Sequence, residues 1–163
     1  MTTPIDIVRG VLSPISRLPF FRRFIGPRVF PAIERFLTRV TRGRFQLTDL
    51  LVPSLTLHTI GAKSGEPRDA PLMYTPDGKG RAIVAGTNWA GVRHPAWTAN
   101  LLANPDAEIT VRGRHMTVRA TPVADEDRDA TWAVLDAQWP GFRDYERLSG
   151  RTARLFVLQP VRR

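Results

Sequence analysis

The chain has no cysteine, and that absence excludes disulfides, thiolate nucleophiles, iron–sulfur clusters and cysteine-bound zinc. Histidine is nearly as scarce. The three present, His58, His94 and His115, lie far apart and outside any His-Glu-x-x-His pattern, so no metal site is expected and each reads as an ordinary strand or loop residue. Long apolar runs are missing too: nothing approaches the roughly 20 residues of a spanning helix. Asp6, Arg9 and Pro14 interrupt the apolar stretch that a secretory signal would need. A cytoplasmic protein is expected, with peripheral contact on the inner face of the cell membrane left open. Acidic residues are the minority, 15 against 24 lysines and arginines, for a net charge of +9. That excess attracts nucleic acid, acidic lipid headgroups or a multiply charged small ligand, and composition does not choose among them.

What is present divides into two parts. Residues 1–45 read as a basic helical segment. Pro14 and Pro19 cut its first half into short pieces, and Phe30, Ile33, Phe36, Leu37 and Val40 then recur at helical spacing, with Arg28, Arg35, Arg39 and Arg42 on the other side and Gly43 as a stop. Such a helix over 28–42 either packs on the domain with a solvated arginine face or lies on anionic lipid. Residues 46–163 carry short strand patterns: Leu55 to Ile60, Asp69 to Thr75, Arg81 to Gly86, Ala107 to Val111, Met116 to Ala120 and Arg154 to Gln159. The third is apolar on both faces, as a central strand would be. Helices are expected over Pro95 to Ala103, with Trp97, Leu101 and Leu102 inward, and over Asp125 to Gln138, burying Trp132 and Leu135. About six short strands with few helices between them predict an α+β domain built on an antiparallel barrel, because closure removes exposed edges.

The first chemistry-bearing stretch is the turn Gly61-Ala62-Lys63-Ser64-Gly65-Glu66-Pro67-Arg68. Two glycines permit tight backbone geometry, Ser64 adds a hydroxyl, and Lys63 and Arg68 put cations on either side of amide groups expected to be exposed. This composition suits an anion, phosphate above all; a solvated basic hairpin is the equal reading from these residues alone. A Walker loop is excluded, since Ala62 precedes Lys63 and Leu57 occupies the upstream glycine position. The second stretch, Ala85 to His94, is small and polar, leaves a central strand and leads to a helix N-terminus. A flat ligand could lie along it.

Residues 59–68, Pro71-Leu72, Ala85-Gly86-Thr87, His94-Pro95-Ala96-Trp97 with Asn100-Leu101, Ala103-Asn104-Pro105 and Pro140-Gly141-Phe142-x-x-Tyr145, in that order, resemble the deazaflavin-dependent nitroreductase family of F420H2-dependent quinone and nitro reductases. The resemblance covers roughly residues 46–160. It implies a split β-barrel that binds coenzyme F420, a deazaflavin with a phosphate and an oligoglutamate tail, and passes hydride from its reduced form to a quinone, nitroaromatic or similar electron-poor acceptor. It further implies that Ala62, Lys63, Ser64, Gly65, Glu66, Pro67 and Arg68 hold the phosphate and acidic groups, with Pro71 shaping the next strand. The ring would lie along Ala85, Gly86, Thr87 and Asn88, with Ala96, Trp97 and Asn100 closing the site. Met73, Trp139, Phe142 and Tyr145 match the substrate pocket, and the proton would come from Tyr145 or water. Ala62 stands where the family commonly has arginine. Rival readings are an FMN- or haem-binding split barrel, a non-catalytic F420 carrier and, against the expectation of no nucleic-acid partner, a base-stacking protein.

Overall fold

The computed structural model describes residues 53–161. The basic helix expected over 28–42 and the boundary near residue 45 lie outside them. Seven strands follow one another: β1 Ser54–Ile60, β2 Pro67–Met73, β3 Thr75–Pro76, β4 Ala82–Ala85, β5 Asp106–Val111, β6 Arg114–Pro122 and β7 Leu155–Pro160. Three helices complete the described part: α1 Ala96–Ala103 between β4 and β5, and α2 Arg128–Gln138 and α3 Asp144–Ser149 between β6 and β7. Short 3-10 turns occupy Asn88–Ala90 and Asp125–Asp127.

All pairings are antiparallel, in the order β2-β1-β5-β6-β7-β4-β3. Only Tyr74 separates β2 from β3, so the two ends of this order are consecutive in the chain. The sheet therefore curls until its edges meet through a covalent link. The Tyr74 amide donates to the Pro53 carbonyl at 3.0 Å, and the Gln138 side chain donates to the Tyr74 carbonyl at 2.9 Å. Counting β2 and β3 as one bent strand recovers the six expected. Pro67 and Pro71 are tolerated in β2 because its ladder partner lies on one side only.

Alternation along the strands fills the barrel. Leu55 and Leu57 from β1, Ala107 and Ile109 from β5, Val118 and Ala120 from β6, Phe156 and Leu158 from β7, and Ala82 and Val84 from β4 make one buried cluster. Trp97 and Leu101 of α1 join it, Trp97 lying tilted on Phe156 with ring centroids 5.8 Å apart. Leu102, expected inward, is instead 50 % exposed, because the helix turns only one narrow face to the barrel.

A second cluster covers the other side of β4 and β7. Ile83 and Leu155 meet Trp132 and Leu135 of α2, Tyr145 of α3, and Phe142, Ala90 and Ala153. The continuous apolar pattern of β4 thus has a direct cause: both of its faces are buried. Burying each large side chain of this kind contributes about 1.5–3 kcal/mol, which is what fixes α2 and α3 beside the loop that follows β4.

Candidate functional site

The turn between β1 and β2 closes on the pair Ile60 and Pro67, and residues 62–68 are exposed. The amides of Gly61, Ala62, Gly65 and Glu66 are spent within the fold, whereas among the described residues those of Lys63 and Ser64 have no acceptor, so the expected exposed N–H groups are reduced to these two. Gly61 N–H donates to the Glu66 carbonyl at 2.8 Å, Gly65 N–H to the Gly61 carbonyl at 2.8 Å and Glu66 N–H to Ser64 Oγ at 3.3 Å. Gly65 has φ +69°, which glycine adopts without strain. What the turn presents outward is side-chain charge. Among the described residues, neither Lys63 nor Arg68 has a carboxylate partner.

The Ala62 amide donates to Asn100 Oδ1 at 2.9 Å, and Asn100 Nδ2 donates to Thr59 Oγ1 at 3.0 Å. Asn100 is 5 % exposed, so its amide is committed to holding the turn against α1. Trp97, one turn earlier, sits inside the barrel at 7 % exposed. Both residues are expected to close the site; the structure shows Asn100 bonded to the turn and Trp97 packed in the barrel core. Ala96, at the start of α1, is exposed.

The same helix backs the second stretch. At Gly86 a Cβ would stand 2.7 Å from Thr98 Cγ2 and 3.2 Å from the Arg154 carbonyl, so only glycine lets the chain pass this close to α1. The Gly86 amide donates to that carbonyl at 2.8 Å. α1 is therefore a splint between the two stretches, Thr98 against one and Asn100 against the other. Ala85 is half-buried, Thr87 buried and Asn88 exposed. Asn88, Trp89 and Ala90 have φ of 48°, 53° and 58°, three successive non-glycine residues in the left-handed region. Such conformations cost about 1–3 kcal/mol each and persist only where the surroundings impose them.

Arg151 clamps this run, and no sequence pattern points to it. Its guanidinium donates to the carbonyls of Gly91 at 2.9 Å, Gly86 at 3.0 Å and Thr87 at 2.7 Å. It also lies 3.1 Å from His94 Nδ1. Burial, then the charges of Arg154 and Arg151, push His94 below its ordinary value, so at neutral pH the ring is uncharged and accepts from Arg151. Burial likewise lowers Arg151, with Glu146 opposing and Arg154 adding to the shift.

Met73, Trp139, Phe142 and Tyr145 do come together, in the second cluster and beside Ala85 of the loop. Met73 and Trp139 are half-buried, whereas Phe142 and Tyr145 are 6 % and 5 % exposed and pack edge to face at 5.8 Å. The first two thus keep part of their surface open, and the second two lie within the cluster. On the outer face of β1, β2, β5 and β6, the two remaining histidines join one hydrogen-bonded chain. It runs from Asp69 to His58 at 2.7 Å, to Thr110 at 2.8 Å, to His115 at 3.0 Å and to Glu108 at 2.7 Å. Among the described residues no group of three or more His, Asp or Glu could hold a metal ion, and no helix is long and apolar enough to cross a membrane.

The curled antiparallel sheet of seven strands with few helices is a split barrel. The chain belongs to the F420H(2)-dependent quinone reductase family, whose model matches residues 34–160. It is 39 % identical over 104 residues to an F420H(2)-dependent quinone reductase of Mycobacterium tuberculosis, covering 63 % of this chain and 68 % of that protein. A second M. tuberculosis protein, a putative F420H(2)-dependent quinone reductase, is 28 % identical over 109 residues, 67 % of this chain and 91 % of that one. Among solved structures, an F420-H2 dependent reductase (FDR-A) superposes with TM-score 0.58 at 25 % identity, covering 66 % of this chain and 94 % of the other.

Proposed function

We propose that the protein binds reduced coenzyme F420 and reduces a quinone with it. Bound here, reduced F420 supplies the hydride, which agrees with a chain that has no cysteine nucleophile. The observation that carries the reading is the pair of cations, Lys63 and Arg68, that have no carboxylate partner among the described residues, on a turn held by Asn100. Uncompensated charge fixed on a β-turn fits a ligand with a phosphate and a carboxylate tail, because each charge-assisted hydrogen bond to it contributes about 1.5–3 kcal/mol. Ser64 and Arg68 complete that grip. Gly86 and Thr87 give a flat ring room to approach the backbone, and Asn88 borders it.

The chain's own residues then do the positioning. Met73 and Trp139 form the wall against which an electron-poor, flat acceptor rests, with Phe142 and Tyr145 beneath, and the apolar wall excludes water from the reacting face. A nitroaromatic of similar shape would fit the same wall. Protonation of the product falls to water or to Tyr145, whose burial limits its exchange with solvent. The basic excess, and the arginines of 28–42 with it, would hold the enzyme to the inner leaflet where a lipid quinone dissolves.

The test mixes the purified protein with menadione and, in turn, reduced F420, NADPH and reduced FMN, following oxidation of each donor. Oxidation with reduced F420 alone is expected. Turnover with reduced FMN alone would replace this reading with that of an FMN-binding barrel.

A further inference from the structure

We propose that Arg151 is the positioning residue of the loop after β4, turning the loop's carbonyls inward so that the amides of Thr87 and Asn88 face the cofactor ring as a paired donor. The inference rests on the reading of this loop as the ring's bed and adds to it the group that sets the bed's polarity.

The carbonyls of Gly86, Thr87 and Gly91 all accept from one guanidinium. In a planar trans peptide the N–H points opposite to the C=O of the same unit. The amide sharing the Gly86 carbonyl's peptide is that of Thr87, and the amide sharing the Thr87 carbonyl's peptide is that of Asn88. Both therefore point away from Arg151. Among the described residues neither has an acceptor. Backbone angles give the same answer independently. Thr87 is right-handed helical, with φ −73° and ψ −28°, and Asn88 is left-handed, with φ 48°. A right-handed residue followed by a left-handed one makes consecutive N–H groups converge on a concavity that binds an anion or an electron-rich oxygen. The ligand chemistry implied is a ring carbonyl that gains electron density when the ring is reduced.

The strain of three left-handed residues explains why a guanidinium is required. Arg151 reaches both ends of the loop, Gly86 and Thr87 before the left-handed run and Gly91 after it, so its planar fork clamps the run from both sides. A lysine ammonium is a point donor and cannot span the same carbonyls. His94, neutral here, accepts from the same fork and marks the far end of the loop.

The experiment compares Arg151→Met and Arg151→Lys with Arg81→Met, which breaks the Asp77–Arg81 pair of the β3–β4 hairpin and touches no part of the loop. F420 affinity is read by fluorescence titration, and amide exchange over residues 86–94 is read without cofactor. Arg151→Met is expected to raise the F420 Kd by about tenfold or more, since unclamped carbonyls lose the donor geometry. Its kcat at saturating F420 should fall by less than about threefold, because saturation restores the loop. Exchange at Ala90 and Gly91, whose amides donate to the Thr87 and Asn88 carbonyls, should quicken in the cofactor-free protein, and Arg81→Met should do neither. If Arg151→Met does not fold, Arg151→Lys decides, with the same rise in Kd expected. Affinity within about twofold of the unaltered protein in the folded variant, or unaltered exchange over 86–94, would overturn the proposal. Absence of F420 binding by the unaltered protein is a separate result that removes the cofactor reading, and this role of Arg151 with it.

Discussion

Asn100 on α1 accepts the amide of Ala62 at 2.9 Å and donates to Thr59 Oγ1 at 3.0 Å, so one buried side chain fixes both the last turn of β1 and the first residue of the cationic corner. Asn100→Ala would leave Ala62 N–H and the buried Thr59 hydroxyl short of a partner. A loss of about 1–3 kcal/mol in unfolding free energy is expected, measured by denaturant titration. F420 affinity should fall as well, because the turn that Asn100 holds carries Lys63.

Lys63→Ala and Arg68→Ala should behave in the opposite way. Both side chains are exposed and, among the described residues, lack a carboxylate partner, so stability should stay within about 0.5 kcal/mol of the unaltered protein. Each should weaken F420 binding by about tenfold, in proportion to one lost charge-assisted hydrogen bond. The affinity lost should shrink as salt is raised, because these charges are exposed to screening.

Gly86→Ala places a methyl 2.7 Å from Thr98 Cγ2 and 3.2 Å from the Arg154 carbonyl. Backbone or α1 must shift, and overpacking of this kind costs about 1–3 kcal/mol. The expected result is a lower Tm together with loss of F420 affinity. Gly78→Ala is the useful comparison: no atom lies within 4 Å of the added group there, and its φ of +77° confines the penalty to local strain in a hairpin.

His94 gives the account a pH dependence. Its folded value lies below the ordinary 6.5, so the unfolded chain binds the proton more readily than the folded one. Stability from this group is therefore complete above about 6.5, the unfolded value, and is lost as pH falls below it. Protonation would also set an imidazolium against Arg151. Thermal unfolding followed from pH 7.5 to about 5.5 should show Tm falling on the acid side, and His94→Asn should remove that part of the fall.

How much of this was legible in the sequence follows from which interactions leave a pattern. Period-two alternation at Leu55, Leu57 and Thr59 and the continuous apolar run of β4 are direct consequences of burial, and they located the barrel strands. Trp97 and Asn100 carried the resemblance, but the sequence could not separate a residue that lines a site from one that holds it up. That both are buried shows only in the fold. α3 spans only Asp144–Ser149, too short for helical spacing to show, and of its residues only Tyr145 stands out in the sequence, as a pocket aromatic. Arg151 was invisible for a different reason. Its partners are backbone carbonyls far away in sequence, and a carbonyl is the same in every residue. The left-handed run at Asn88 to Ala90 has no glycine to announce it.

The central claim is that the Lys63 and Arg68 corner grips the acidic arm of F420, and it is tested most directly by a cycle of two ligands and two proteins. Titration calorimetry compares F420 with the same deazaflavin lacking the phosphate and glutamate arm, on the unaltered protein and on the Lys63→Ala, Arg68→Ala double variant. The account predicts that the unaltered protein prefers the full cofactor and that this preference collapses in the variant, the armless ligand binding both proteins alike. A preference for the full cofactor that survives undiminished in the variant would contradict it.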